Sequence, residues 1–256
     1  MDNKQILIPR KIHYFWFGMG KMNRKNEKYI KAWKKKCPDF EICRWDESNF
    51  DFSDNRFARE AYEAGKYCFV SDYARTKVLY EQGGIQLDTD VEILRDLTDL
   101  CKYEGFIGFE TDKEVNDGQG FGVVPGHPIV KEMLDTYKDI PFKKEDGSFN
   151  MLLSPKARTD VLVNHGLELN GKRQNVEGIE ILPADFLCPK DFTTRRLNIT
   201  ENTYSIHHFD SSWHTKKEKR ELFIISVLSR LYGNERGLKK YNSYRKFVKK
   251  IRGKHG

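Results

Sequence analysis

Ser71-Asp-Tyr-Ala-Arg-Thr-Lys-Val-Leu-Tyr-Glu-Gln82, then Gly83-Gly84, then Ile85-Gln-Leu-Asp-Thr-Asp-Val-Glu-Ile93 is the stretch that decides how this chain folds. Ala74, Val78 and Leu79 form a single apolar face on the helix that its opening residues predict. Ser71 stands as an N-cap, although the helix has room to begin earlier. Gly83 occupies the place where a helix ends on a left-handed residue. Ile85 to Ile93 reads as a strand whose middle carries carboxylates where a buried strand carries apolar residues. A helix that turns straight into a strand is part of an open α/β sheet.

The flanks extend the same pattern. Lys11 to Phe17 is dense in β-branched and aromatic residues and runs into Gly18-Met-Gly20, a strand leading to a glycine loop. Asn26 to Lys36 has helical spacing (Tyr29, Ile30, Trp33) and stops before Cys37-Pro38, and Phe40 to Trp45 alternates as a second strand. Further on, Phe57–Ala64, Pro128–Lys138 and Pro155–Val163 read as helices. Phe106–Phe109, Gly118–Gly126, Ile179–Leu182 and Tyr204–Phe209 read as strands or strand and turn, with residues 140–150 a polar loop. No internal repeat or long linker divides the body.

The composition bounds the class. The 256 residues are 38% hydrophobic, 13% aromatic and 32% charged, which suits one well-cored domain with a small appendage and excludes wholesale disorder. The net charge of +7 invites a nucleic-acid reading. Residues 216–256, however, hold 14 Lys and Arg against 3 Asp and Glu, so residues 1–215 are net −4. We therefore divide the chain into a mildly acidic body, 1–215, and a basic helical tail, 216–256. The charge speaks for a partner of the tail and against nucleic acid on the body. No apolar run approaches the roughly 18 residues of a membrane span, and Met1 to Arg10 lacks the apolar stretch of a signal peptide. Five scattered cysteines without a Cys-x-x-Cys pair fit a reducing cytoplasm.

Several residues carry chemistry. On a strand, Asp88 and Asp90 point to one face, and a hard divalent cation resolves their repulsion. Such an ion also neutralises a diphosphate leaving group. Asp72 and Arg75, at i and i+3, share a helical face 16 and 13 residues before Asp88, where a surface ion pair competes with a role in holding hydroxyls or phosphate. Trp16, next to a glycine loop at the end of the first strand, is either core or a stacking platform. In His207-His208-x-x-Ser211-Ser212-Trp213, a neutral imidazole suits the third ligand position beside two carboxylates for Mn2+. There is no Gly-x-Gly-x-x-Gly opening a helix, no P-loop, no Gly-x-Ser-x-Gly and no Cys/His nucleophile pair.

Together these segments resemble glycosyltransferase family 32, which includes fungal outer-chain mannosyltransferases and bacterial capsule glycosyltransferases and is related to the large glucosylating toxins. The resemblance rests on Ile8 to Gly18, Ser71 to Asp90 and the late His-His-x-x-Ser-x-Trp, and it covers roughly residues 6–214. It implies a GT-A fold, a Rossmann-like mixed sheet flanked by helices, here followed by the basic helical tail. It implies a retaining, metal-dependent hexosyltransferase using Mn2+ or Mg2+, with a UDP-sugar favoured as donor and a GDP-sugar as the alternative. The acceptor would be a glycan or lipid-linked saccharide in bacterial surface polysaccharide synthesis. By position, Trp16 stacks on the base, Asp72 and Arg75 hold sugar and ribose hydroxyls, and Asp88 contacts ribose and sugar and approaches the metal. Asp90 ligates the metal, His208 is its late ligand with His207 the alternative, and Ser211 and Trp213 close on the diphosphate. The competing readings are a non-catalytic sugar- or nucleotide-binding protein and a metal-dependent nucleotidyltransferase with a nucleic-acid-binding tail.

The tail has its own pattern. Leu222 to Leu231 is apolar enough to pack on the body. Leu238, Tyr241, Tyr244, Phe247, Val248 and Ile251 fall at helical spacing among Lys239, Lys240, Arg245, Lys246, Lys249 and Lys250. This matches an amphipathic helix on an anionic membrane surface, placing the protein in the cytoplasm, peripheral on the inner face of the plasma membrane. A solvated basic helix packed on the body is the alternative.

Overall fold

Gly83 ends the decisive helix at a φ of +64°, and its N–H bonds the Leu79 carbonyl at 2.9 Å. A Cβ there would lie 2.8 Å from the Pro125 nitrogen and the Val123 oxygen, so glycine is required sterically as well as conformationally. The structure, a computed structural model, describes residues 5–210 and 216–252. The elements are β1 Lys11–Phe15, α1 Arg24–Lys36, β2 Glu41–Trp45, α2 Arg56–Glu63, α3 Tyr67–Gln82, β3 Gly84–Gln86, β4 Val91–Ile93, β5 Gly105–Thr111 and β6 Glu114–Val123. They continue with α4 Pro128–Asp135, α5 Ser154–Asn164, β7 Gln174–Val176, β8 Ile179–Leu182, α6 Ala184–Leu187, β9 Ser205–His207, α7 Lys216–Tyr232 and α8 Asn234–Arg252. Two compact units result: residues up to 189 with 199–208, and residues 190–198 with those from 209 onward.

The first unit carries a seven-stranded mixed sheet in the order β2-β1-β3-β6-β5-β8-β7. β2, β1 and β3 run parallel, as the opening β-α-β reading requires, and β6 joins antiparallel to both β3 and β5. Period-two alternation splits the strand side chains between the two faces. Phe106 joins Ile12, Trp33 and Ile85 in one cluster, while Ile107 and Phe109 join Val130, Met133 and Leu162 in another. A third, largely aromatic cluster around Phe57, Phe69, Tyr137 and Phe142 packs α2 and α3. This is the mixed α/β sheet flanked by helices that a GT-A arrangement calls for.

Two expectations are corrected here. Helix α3 begins at Tyr67, four residues before Ser71, whose hydroxyl donates back to the Tyr67 carbonyl and so caps nothing. The single strand expected over Ile85–Ile93 is two strands. Leu87 N–H still pairs with the His13 carbonyl, but Asp88 N–H bonds the Gly118 carbonyl at 2.9 Å and Val91 N–H turns back to the Asp88 carbonyl at 3.0 Å. β4 then leaves the large sheet and pairs antiparallel with β9. Asp88 and Asp90 therefore stand on a turn at the end of β3, not along a strand face.

His13, on β1, is fully buried. The Trp45 indole N–H donates to its Nδ1, and its Nε2 lies 3.0 Å from the Gly83 carbonyl. An indole N–H only donates, so Nδ1 is the acceptor and Nε2 carries the proton. Burial is the main reason its pKa falls from 6.5 to about 4. The unfolded chain therefore takes up this proton first, and stability falls as pH drops from about 6.5 towards 4. At about 1.4 kcal/mol per pH unit the loss reaches about 3 kcal/mol. By urea denaturation, the stability difference between the wild type and His13→Gln should change with that slope over this range; a difference independent of pH would remove His13 as its source.

In the second unit, Gly233, at φ +82°, separates α7 from α8. A Cβ on Gly237 would meet the Ser229 backbone at 2.6 Å, so the two helices touch closely there. Tyr241 is buried, whereas Leu238 and Tyr244 are exposed, and on α7 Phe223, Val227 and Leu231 are exposed. The side chains of Phe247, Val248 and Ile251 lie outside those described. No helix among the described residues is long and apolar enough to cross a membrane.

Candidate functional site

The turn after β3 gathers its partners from three distant segments. Asp88 and Asp90 come from the turn, Arg75 and Asp72 from α3, Asp117 from β6 and His207 from β9. His207 Nε2 lies 3.3 Å from Asp90 Oδ1 and 3.9 Å from Asp88 Oδ2. One ligand atom from each of these three residues lies within 4.8 Å of the others. Ligands about 2.2 Å from a cation and at right angles around it stand about 3 Å apart. The cluster therefore fits a small divalent ion with mixed oxygen and nitrogen ligands.

The register explains which histidine faces the aspartates. Val91 pairs with His207 across β4 and β9, and the next side chain points the other way. The sequence reading gave the ligand position to His208. Its Nε2 instead lies 2.8 Å from Glu92 Oε2, and its ring stacks on Tyr29 at 4.9 Å. His207 takes the place beside the two aspartates.

Helix α3 is buried on most sides, so its two buried charged residues, Asp72 and Arg75, must be neutralised internally. Arg75 Nη2 lies 3.2 Å from both Asp72 Oδ1 and Asp88 Oδ1, and Nη1 is 3.6 Å from Asp117 Oδ1. Asp117 is held in turn by Arg158 Nε at 3.2 Å and the Ser154 hydroxyl at 2.8 Å. Arg158 is fully buried and also donates to Thr76. Arg75 thus anchors Asp88 from behind, and Asp117 with Arg158 anchors Arg75. Sequence reading singled out neither Asp117 nor Arg158; an acid inside a glycine-rich strand and an arginine beside the apolar positions Ala157, Val161 and Leu162 were the signs available.

Protonation follows from burial and charge. Burial pushes the Asp72 carboxyl up to about 7 in spite of Arg75. Burial also raises Asp88, against the pull of Arg75 and His207. Asp117 is held below the carboxylate range because Arg75, Arg158 and Ser154 outweigh its burial. His207 is raised, its burial overcome by Asp90 and Asp88. The side chain of Asp88 is 32% exposed and that of Asp117 is 2%, so Asp88 is open to solvent and Asp117 is not.

Asn26, on α1, donates to the Thr89 hydroxyl at 2.8 Å, and Gly118 must lack a Cβ, which would sit 2.5 Å from Asp88 Oδ2. Trp16 lies one residue past β1, half-buried, outside the three core clusters, with its indole N–H on the Gly20 carbonyl at 2.6 Å. Ser211 and Trp213 lie outside the described residues.

The family model for the glycosyltransferase sugar-binding region containing the DXD motif matches residues 23–107. Inositol phosphoceramide mannosyltransferase 3 of Schizosaccharomyces pombe is 31% identical over 141 residues, 52% of this chain and 38% of that protein. The chain thus spans well under half the length of this relative. Among solved structures, the PaToxG glycosyltransferase is similar at a TM-score of 0.47 and 18% identity, over 61% of this chain and 68% of that one. A glycosyltransferase involved in glycosylation of the major capsid of PBCV-1 gives 0.41 and 11%, over 83% and 97%. Residues 23–107, from α1 into β5 and including Asp88-Thr-Asp90, are thus similar to the DXD-containing sugar-binding region of glycosyltransferases, the class that the sequence resembles.

Proposed function

We propose that the chain transfers a hexose from a nucleotide-sugar to a glycan or lipid-linked saccharide, with a UDP-sugar as donor in preference to a GDP-sugar and with retention of anomeric configuration. The observation that carries this reading is the Asp88–Asp90–His207 cluster within a DXD region, backed by Arg75. Asp90, His207 and Asp88 would together hold Mn2+ or Mg2+. When bound, that ion neutralises the diphosphate as it leaves. Arg75 fixes Asp88 and Asp72 in place, so the carboxylates are oriented before a donor arrives. Trp16 offers its ring to the base and Asp72 its carboxyl to the sugar hydroxyls. The other buried acid, Asp117, is saturated by two arginines and a serine. It does not serve as a nucleophile, which accords with front-face transfer and an oxocarbenium-like transition state.

A lipid-linked acceptor is supported by the relative whose name places it on inositol phosphoceramide, and by the basic tail, which we assign to an anionic membrane surface on the cytoplasmic side. The test is nucleoside diphosphate release from a panel of UDP- and GDP-hexoses with Mn2+. We expect one donor to be hydrolysed and chelation to stop it. Mn2+ binding without release from any donor would make the protein a sugar- or nucleotide-binding module instead.

A further inference from the structure

Helix α1 carries seven Lys and Arg against one Glu in thirteen residues, although the body as a whole is net negative. The structure sorts these charges. Asn26, Ile30, Trp33 and Cys37 face inward. Three lysines have internal contacts: Lys34 Nζ donates to the Phe40 carbonyl, Lys36 Nζ to the Leu94 carbonyl, and Lys25 lies over the Tyr29 ring. Arg24, Lys28, Lys31 and Lys35 are exposed, and no carboxylate among the described residues lies within ion-pair distance of them. At 3.6 residues per turn these four fall within an arc of about 60°, opposite the buried face, along a line of about 16 Å. Like charges at i,i+3 and i,i+4 disfavour a helix, and Glu27, at i+3 from Arg24 and four residues before Lys31, is the one acid of α1 set against them.

We infer that this stripe is a docking surface for the anionic headgroups of a lipid bilayer. A straight, convex row of cations without interleaved aromatic residues suits a flat phosphate-bearing surface. Single-stranded nucleic acid is held in grooves with stacking rings. The inner face of α1 meets the DXD turn through Asn26 and Thr89, and Trp33 Nε1 donates to the Val91 carbonyl at 2.9 Å. A bilayer against the outer face then lies about one helix diameter, about 10 Å, from the cation cluster. That is within reach of a sugar on a lipid headgroup. The acceptor rests on the reading given under Proposed function; the docking does not.

The test is co-sedimentation of the full chain with phosphatidylcholine vesicles, with and without phosphatidylserine. The wild type should partition onto the anionic vesicles, and less so as salt rises. R24Q/K28Q/K31Q/K35Q should reduce the partition coefficient at least about tenfold, with unchanged helix content and unchanged donor hydrolysis in the absence of vesicles. K28Q/K31Q should give a smaller loss of the same sign and serves if the quadruple variant folds poorly. K239Q/K240Q/R245Q/K246Q reports the tail separately. Undiminished partition of the α1 variants would overturn the proposal. So would equal binding to neutral vesicles, or binding to single-stranded RNA in place of vesicles. Donor hydrolysis without vesicle binding would sink the docking surface alone, and vesicle binding without hydrolysis would sink the enzymatic reading alone.

Discussion

Asp90→Asn should reduce metal-dependent release of nucleoside diphosphate by at least about 10²–10³-fold, the scale of losing a principal electrostatic element of a transition state. Stability should hold or rise slightly. The substitution keeps the shape of the side chain and removes one charge. Without an ion, Asp88 and Asp90 repel each other, which offsets the attraction of Asp90 to His207 at 3.3 Å. The folded chain thus loses little, while the cation loses a charged ligand. Mn2+ affinity measured by calorimetry should fall in parallel with turnover. Paired alanine variants sharpen the assignment: His207→Ala should impair Mn2+ binding, and His208→Ala, which removes a partner of Glu92 and Tyr29, should not. Both His207 and Asp88 are raised, so protons compete with the ion and its affinity should weaken as pH falls. Unchanged turnover in Asp90→Asn, or a larger effect from His208 than from His207, would remove the cluster as the metal site.

Much of this was legible in the residues. The opening β-α-β, the glycine that ends α3 and the strand Ile179–Leu182 follow from periodicity and backbone preference, which are local. What could not be read depends on distant pairing. Leu87, Val91 and Ile93 continue an apolar pattern across the end of β3. The break there is set by the Asp88 bond to Gly118 and by β4 joining β9, more than a hundred residues later. Which of two adjacent histidines faces the aspartates is a question of strand parity, and a one-residue shift of register would exchange them. Asp117 and Arg158 are separated by 41 residues and neither belongs to a motif; only the packing of α5 against β6 makes them a pair. Asp72 and Arg75, by contrast, were marked by helical spacing, and their ion pair is present. What spacing left open was its setting: the pair is buried, so it is not the weak surface bridge such spacing usually means.

That burial sets the largest expected effect on stability. Arg75→Met should cost about 3–5 kcal/mol at neutral pH, the range for removing one partner of a buried ionic group. Arg75 faces Asp72, Asp88 and Asp117, and its removal leaves Arg158 as the one guanidinium bonded to Asp117 among the described residues. The sign of the pH dependence follows from the carboxyls. Asp72 already stands at about 7 against an ordinary 3.8, and Asp88 is raised as well, with burial the main cause in both. Without the guanidinium both rise further. A raised carboxyl contributes stability that is complete below 3.8 and is lost as pH climbs through its folded value. The gap between wild type and variant should therefore be smallest near pH 4, widen above the raised folded value of Asp88, and widen again above about pH 7, where Asp72 ionises in the wild type and not yet in the variant. Urea denaturation of both proteins across that range measures it, and the His13 titration, common to the two, cancels in the difference. Arg75→Lys, which keeps the charge but loses the planar fork, should fall between them and serves if the methionine variant does not fold. A gap independent of pH would mean that Arg75 matters for the volume it fills, and the view of it as the charge that fixes Asp88 would fail.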